Sequence, residues 1–358
     1  ATLRKIDIAI SSDQHMLQIL ETLLAQVQSQ LQVDAAAVLL FNEAEQAFEY
    51  TASIGFSAED IKRARVPYGT SLAGRAAQIN GCIHLDPCQS PNLHPGLQSL
   101  CEKEGFHTYF GFPLVFKDRL KGVLELFHRQ PLDPDQEWLD FYETLAGQAA
   151  MAVENAQLIT GLHQANEDLI QAYDATIEGW SMAMDLRDKE TEGHTLRVTD
   201  MTIALARKLN LSEFEIVHVR RGALLHDIGK VGVPDSILLK PGLLTPEERR
   251  IIEKHPVYAF NMLQSITYLR PALDIPHLHH EKWDGSGYPY GLKGEQIPIT
   301  ARLFALVDVY DALTSDRPYR SAWSKDETIT YIREQSGRHF DPTLVSLFLE
   351  YLQENPDL

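Results

Sequence analysis

At 358 residues the chain exceeds one compact core of typical size, so two domains are expected. Its 44% apolar and 23% charged residues are ordinary for a globular protein, and no run of 18 apolar residues encodes a transmembrane helix. A formal charge of −18, from 32 basic and 50 acidic residues, argues against binding a nucleic acid polymer or an anionic membrane. A small anionic substrate stays possible, because metal ions in a pocket reverse the local field.

The first residues, Ala1 to Asp7, hold no apolar signal core. Cys82, Cys88 and Cys101 are odd in number and lack C-x-x-C spacing, which disfavours a disulfide framework or a thiolate zinc site. A reducing cytoplasm is the expected compartment, and the thiols read as buried or incidental before redox or chromophore sites.

Residues 13–31 have helical periodicity, with Leu17, Leu20, Leu24, Val27 and Leu31 on one stripe. Strand-like runs follow at Ala36–Phe41 and Ala47–Ala52, then a short helix at Leu72–Ala77 and a loop rich in Pro, Asn and Gly over 86–96. Tyr109–Phe116 and Gly122–His128, joined by the turn Lys117–Lys121, read as a hairpin. The expectation is an α/β domain, one antiparallel sheet flanked by helices.

From Leu145 the pattern changes. Leu145, Ala149, Ala152, Ala156, Ile159, His163, Asn166, Ile170, Tyr173, Ile177, Trp180 and Met184 are spaced by four and three alternately. This heptad stripe predicts a linking helix over 145–184 and favours a parallel homodimeric coiled coil over a helix packed on its own domain, with His163 and Asn166 as register-setting polar positions. Beyond Asp185 strand signals vanish, and Ser212-Glu213-Phe214-Glu215 and Thr245-Pro246-Glu247-Glu248 are capping boxes, so this half is all-α.

Histidine is scarce overall, yet His194, His226, His255, His279 and His280 fall in the helical half beside carboxylates. His226-Asp227-Ile228-Gly229-Lys230 closes an apolar helix, where adjacent side chains can converge on one ion. His279-His280-Glu281 leads into Trp283-Asp284-Gly285-Ser286-Gly287-Tyr288-Pro289. Asp308 lies within the apolar run Ala305–Tyr310, where an unpaired carboxylate costs several kcal/mol. Singly, each has an ordinary reading: a core histidine, a chance dipeptide, a glycine turn. Their order and co-occurrence change that.

Together these stretches resemble the HD-GYP family, phosphohydrolases that cleave cyclic di-GMP. Supporting stretches are Asp188–His194, Ile297-Pro298 and Asp308–Arg320, so the resemblance covers about 185–345. It implies that His194, His226, Asp227, His255, His279, His280 and Asp308 ligate metal, with Asp227 bridging ions. It also implies that Glu190, four residues before His194 and so one turn away on a helix, serves a third ion. Two or three divalent ions, iron or manganese before zinc, are the implied cofactors. Lys230, Arg317 and Arg320 match positions that meet substrate phosphates, and Tyr288 one that faces a guanine. Asp227 and Lys230 are the expected catalytic residues: paired ions lower the pKa of water from about 15.7 to about 7 and clamp the reacting oxygens, and Lys230 would neutralise developing charge.

The first half resembles a GAF domain over about 12–155, through Ser71–Ala76, Gly111–Val115 and Gly122–Leu126. The chain is thus expected to hold a GAF-like sensor, a linking helix and, over 185–358, a cyclic di-GMP phosphodiesterase yielding pGpG or GMP. Two alternatives stay open. One is a catalytically weak module that signals by contact, for instance with a diguanylate cyclase of the GGDEF type. The other is hydrolysis of a different cyclic dinucleotide or nucleotide.

Overall fold

A computed structural model describes residues 2–57, 65–87, 89–90, 95–188, 193–316 and 321–356, and the side chains from residue 16 onward. Cys88, Glu190, Arg317 and Arg320 lie outside the described residues. The chain divides into two compact units, Ala1–Glu167 and Asp168–Leu358.

The first unit runs α1 (Thr2–Leu31), β1 (Ala35–Asn42), β2 (Ala47–Ile54), β3 (Arg65–Pro67), α2 (Leu72–Ile79), β4 (Ile83–Leu85), α3 (Pro95–Glu104), β5 (Thr108–Phe116), β6 (Arg119–His128) and the start of α4 (Gln136–Asp188). The six strands form one antiparallel sheet in the order β3-β2-β1-β6-β5-β4. Strand alternation splits its core in two. Ala36 and Val38 of β1 join Leu20, Leu24 and Val27 of α1 and Tyr142, Leu145 and Ala149 of α4, whereas Ala35, Ala37 and Leu39 join Leu72 and Ala76 of α2 and Cys101 of α3. Because both faces are covered, β1 reads as an unbroken apolar run.

The expected α/β sheet domain is present, with differences in detail. No Gly or Pro interrupts the first segment, and α1 begins at Thr2, well before residue 13. The strands β3 and β4 are three residues long, too short to leave a periodicity. The hairpin turn tightens to Lys117-Asp118, both at positive φ (48° and 61°), which matches the twist of the flanking strands.

α4 is a single 53-residue helix, and the boundary between the units falls within it. The expected heptad stripe is not uniform along it. Leu145 and Ala149 are buried in the core of the first unit, and Ile177 and Met184 in that of the second. Between them Leu158, Ile159, Leu162, Leu169, Ile170 and Tyr173 are exposed.

The second unit is helical, as expected: α5 (His194–Lys208), α6 (Glu213–Leu224), α7 (Asp235–Leu238), α8 (Pro246–Ile252), α9 (His255–Leu263), α10 (Asp274–Leu278), α11 (Ile299–Thr314), α12 (Lys325–Glu334) and α13 (Pro342–Glu354). Both capping boxes form, at Ser212/Glu215 and Thr245/Glu248. The core lies among α5, α6, α11, α12 and α13, around Val198, Val219, Phe304, Val307 and Phe348.

Candidate metal centre

Most of the chemistry-bearing side chains sit at helix ends. His194 is the first residue of α5 and His255 the first of α9, while His226-Asp227 follows α6 and His279-His280 follows α10. Among the described residues, Asp308 alone comes from mid-helix, in α11. Carbonyls at these ends have a lone pair to spare, and the imidazoles use them. Nδ1 of His226, His255 and His279 each lies 2.8 Å from a carbonyl three or four residues back, of Ala223, Ile252 and Ile275 respectively. A carbonyl only accepts, so Nδ1 must carry the proton and Nε2 must present a lone pair. One interaction thus satisfies a helix terminus and fixes the tautomer that metal ligation requires.

The lone pairs converge. Ligand atoms of Asp227, His255, His279 and His280 lie within 4.8 Å of one another, and so do those of His194, His226 and Asp308. The two groups adjoin at Asp227: its Oδ1 is 3.3 Å from Nε2 of His255, and its Oδ2 is 3.1 Å from Nε2 of His226. His194 Nε2 lies 3.4 Å from Asp308 Oδ1. Nε2 of His255, Nε2 of His279 and Oδ1 of Asp227 are buried without a hydrogen-bond partner. Buried polar atoms are almost always paired, so three such atoms lying close together fit a cation as their common partner. Imidazole and carboxylate donors without thiolate fit a first-row divalent ion.

Electrostatics agree with the geometry except at His226, where burial is outweighed by Asp227 and Asp308 and the pKa is raised. Burial opposes the charge on Asp227, but Lys230, His226 and His255 outweigh it and hold the carboxyl well below its ordinary value. Asp308 is likewise lowered against burial, by His194, His226 and His279. Burial and the neighbouring imidazoles push His279 down to about 3, and His280 also falls well below the usual range. Ionised carboxylates and neutral imidazoles are the ligating forms.

Two glycines make this packing possible. A Cβ on Gly229 would come 1.9 Å from the His255 carbonyl oxygen, so only glycine lets the 3-10 turn Ile228–Gly232 press against the start of α9 and bring Asp227 to His255. A Cβ on Gly287 would meet the backbone of His280 to Lys282 within 2.4–2.5 Å. Read as turn punctuation in the sequence, Gly287 instead permits the loop to lie on the ligand segment. Tyr288 consequently stacks on His280, with ring centroids 4.7 Å apart. Glu281 is buried and accepts from the backbone N–H of Tyr290 (2.7 Å) and Leu292 (3.0 Å), pinning the loop's far side.

Several contributors were not singled out in the sequence. Asp311 accepts from His194 Nδ1 at 2.7 Å and from the Arg197 guanidinium at 2.7 and 2.9 Å. Its signal was its spacing: three residues after Asp308 in one helix, it shares that face. Glu281 and Asp188 lay within motif stretches but had no role assigned to them, and Arg187 lay outside them. Glu190, expected one helical turn before His194, lies outside the described residues. α4 ends at Asp188 and α5 begins at His194, and Gly193, at φ 73°, breaks any helix immediately before His194.

An antiparallel-sheet α/β unit is thus followed by a helical unit that carries a histidine–aspartate cluster. Residues 15–153 match the GAF domain and residues 179–344 the HD domain, so the chain carries a GAF domain followed by an HD domain. Over 214 residues it is 41% identical to a cyclic di-GMP phosphodiesterase of Vibrio cholerae (56% of this chain, 44% of the relative). Over 184 residues it is 40% identical to a cyclic di-GMP phosphodiesterase of Thermotoga maritima (51% of this chain, 50% of the relative). Over 247 residues it is 36% identical to 3'3'-cGAMP-specific phosphodiesterase 2 of Vibrio cholerae (67% of this chain, 45% of the relative). The chain spans about half the length of these curated relatives. Among the described residues, no helix is long and apolar enough to cross a membrane.

Proposed function

We propose that the chain is a metal-dependent phosphodiesterase that hydrolyses cyclic di-GMP to pGpG or GMP under the control of its GAF domain. The observation that carries this reading is the pair of adjoining ligand groups meeting at Asp227, one oxygen of the carboxylate toward each. In this reading His194, His226 and Asp308 would hold one ion and His255, His279 and His280 a second, with Asp227 as a ligand where the two groups adjoin. Glu190 serves a third ion, with iron or manganese favoured over zinc by the N/O donor set. When bound, such ions supply an ionised water at neutral pH and neutralise charge on the phosphate.

The chain's own residues do the rest. Nδ1–carbonyl bonds hold the imidazoles ready, so that ligation needs little reorganisation. The Lys230 ammonium, 2.5 Å from Asp227 Oδ2, stands where a phosphate beside the centre would find it and balances charge on the oxygens. Tyr288 would offer a ring against a guanine, and Arg317 and Arg320 would meet substrate phosphates. The GAF domain and α4 deliver the signal, through a homodimer formed along the exposed stripe Leu158–Tyr173, and the compartment is the cytoplasm. A diguanylate cyclase of the GGDEF type is the natural protein partner, since it makes the substrate.

A second reading has one specific support, the 36% identity to a 3'3'-cGAMP-specific phosphodiesterase over 67% of this chain. Both are tested together. The full chain, loaded separately with iron, manganese or zinc and its metal content measured, is incubated with cyclic di-GMP and with 3'3'-cGAMP, and the products are separated chromatographically. Cleavage of cyclic di-GMP is expected to be the faster reaction. Preferential cleavage of 3'3'-cGAMP would establish the second reading, and intact dinucleotides with a full metal complement would leave only a binding module.

A further inference from the structure

Two residues at the end of α4, outside both ligand groups, converge on Lys230. Asp188, whose side chain is 4% exposed, places Oδ2 2.9 Å from Lys230 Nζ. The same ammonium lies 2.5 Å from Asp227 Oδ2, so it is bracketed by two carboxylates. Next to Asp188, Arg187 donates to the carbonyl of Lys230 (2.9 Å), to the carbonyl of Val233 (2.8 Å) and to Asp235 Oδ1 (2.8 Å). One residue therefore grips the side chain of Lys230 and its neighbour grips the backbone turn beneath it.

The chemistry explains why such a grip matters. A lysine is a point charge on a stem with four rotatable bonds, and it has no geometry of its own to impose on a phosphate. Without Asp188, Lys230 would be drawn onto Asp227, away from substrate and into competition with the cations for that carboxylate. We propose that Asp188 and Arg187 are positioning residues: Asp188 holds the Lys230 ammonium at the phosphate-binding side of the metal centre, and Arg187 fixes the turn that carries it. This rests on the phosphodiesterase reading above. Both residues lie in the last turn of α4, which begins at Gln136.

A double-mutant cycle on the metal-loaded full chain tests the proposal, using Asp188→Asn, Lys230→Ala and the pair combined. Asp188→Asn should lower kcat by about 10–100-fold with its metal content intact. KM should stay within about threefold, because the lost interaction belongs to the transition state. In the Lys230→Ala background the same substitution should change kcat by less than about twofold, since its effect passes through the missing ammonium. Arg187→Ala should behave as Asp188→Asn does, and Arg187→Lys should recover part of the rate. Equal losses from Asp188→Asn in both backgrounds, or loss of metal, would show a general structural role and overturn the proposal, as would a wild-type rate. A metal-loaded wild type that cleaves neither cyclic dinucleotide would instead overturn the phosphodiesterase reading, and the proposal with it.

Discussion

Nδ1 of His194 lies 2.7 Å from Oδ2 of Asp311, a buried carboxylate that the Arg197 guanidinium grips from its other side. The three form a line from a helix surface to the metal centre, and Asp311 turns Nε2 of His194 toward Asp308. Partners of this kind contribute about 10–100-fold to metal affinity. Asp311→Asn should weaken binding of manganese to the metal-free protein by that factor, as read by calorimetric titration. Wild-type affinity would mean that helix packing alone orients His194.

Among the described residues, Asp308 is the one ligand candidate that a helix interior supplies, and its carboxyl is held below its ordinary value against burial, chiefly by His194. Asp308→Ala should abolish hydrolysis and lower the metal content measured by mass spectrometry. Full metal stoichiometry with an unchanged rate would remove Asp308 from the site.

Ile159 and Ile170 are 48% and 37% exposed in the middle of α4, on the part of the stripe that neither core covers. A dimer through this stretch should split when both are replaced by glutamate, because charge buried in such a seam is strongly unfavourable. Light scattering at micromolar concentration is expected to give a dimer for the wild type and a monomer for the double variant. A monomeric wild type would refute the dimer.

Glu125 of β6 is buried and accepts from Tyr50 at 2.7 Å and Tyr109 at 2.8 Å. Burial raises its pKa from 4.5 to about 7, with the two hydroxyls acting in the opposite direction. At pH below 4.5 both folded and unfolded states keep the proton, and no penalty arises. Between 4.5 and about 7 only the unfolded state releases it, so stability falls as pH rises, by about 3 kcal/mol in total. Glu125→Gln should flatten this dependence of the GAF unit's calorimetric transition between pH 5 and 7. Parallel curves for the two proteins would show that Glu125 is ionised throughout.

The metal centre was more legible than the sheet. His226-Asp227, His279-His280 and Asp308 are legible because ligating residue types are rare in apolar helical sequence, so their clustering stands out. The strands β3 and β4 left no trace, since three residues cannot establish a period of two. The heptad stripe was readable as a pattern, but a stripe of apolar residues does not say which atoms cover it. Leu145 and Met184 satisfy the same rule as Ile159, and each is buried in the core of its own unit.

By itself the sequence determined the residue types, their order and the two-domain plan, because these depend on local periodicity and on chemistry that few side chains can perform. Tertiary structure alone decided the partners. That Asp311 sets His194, that Asp188 brackets Lys230, and that Gly229 lets Asp227 reach His255 are contacts between segments 26 to 117 residues apart in the chain. No local rule encodes such distances. They arise when helix ends pack closely enough that a single Cβ would hold them apart.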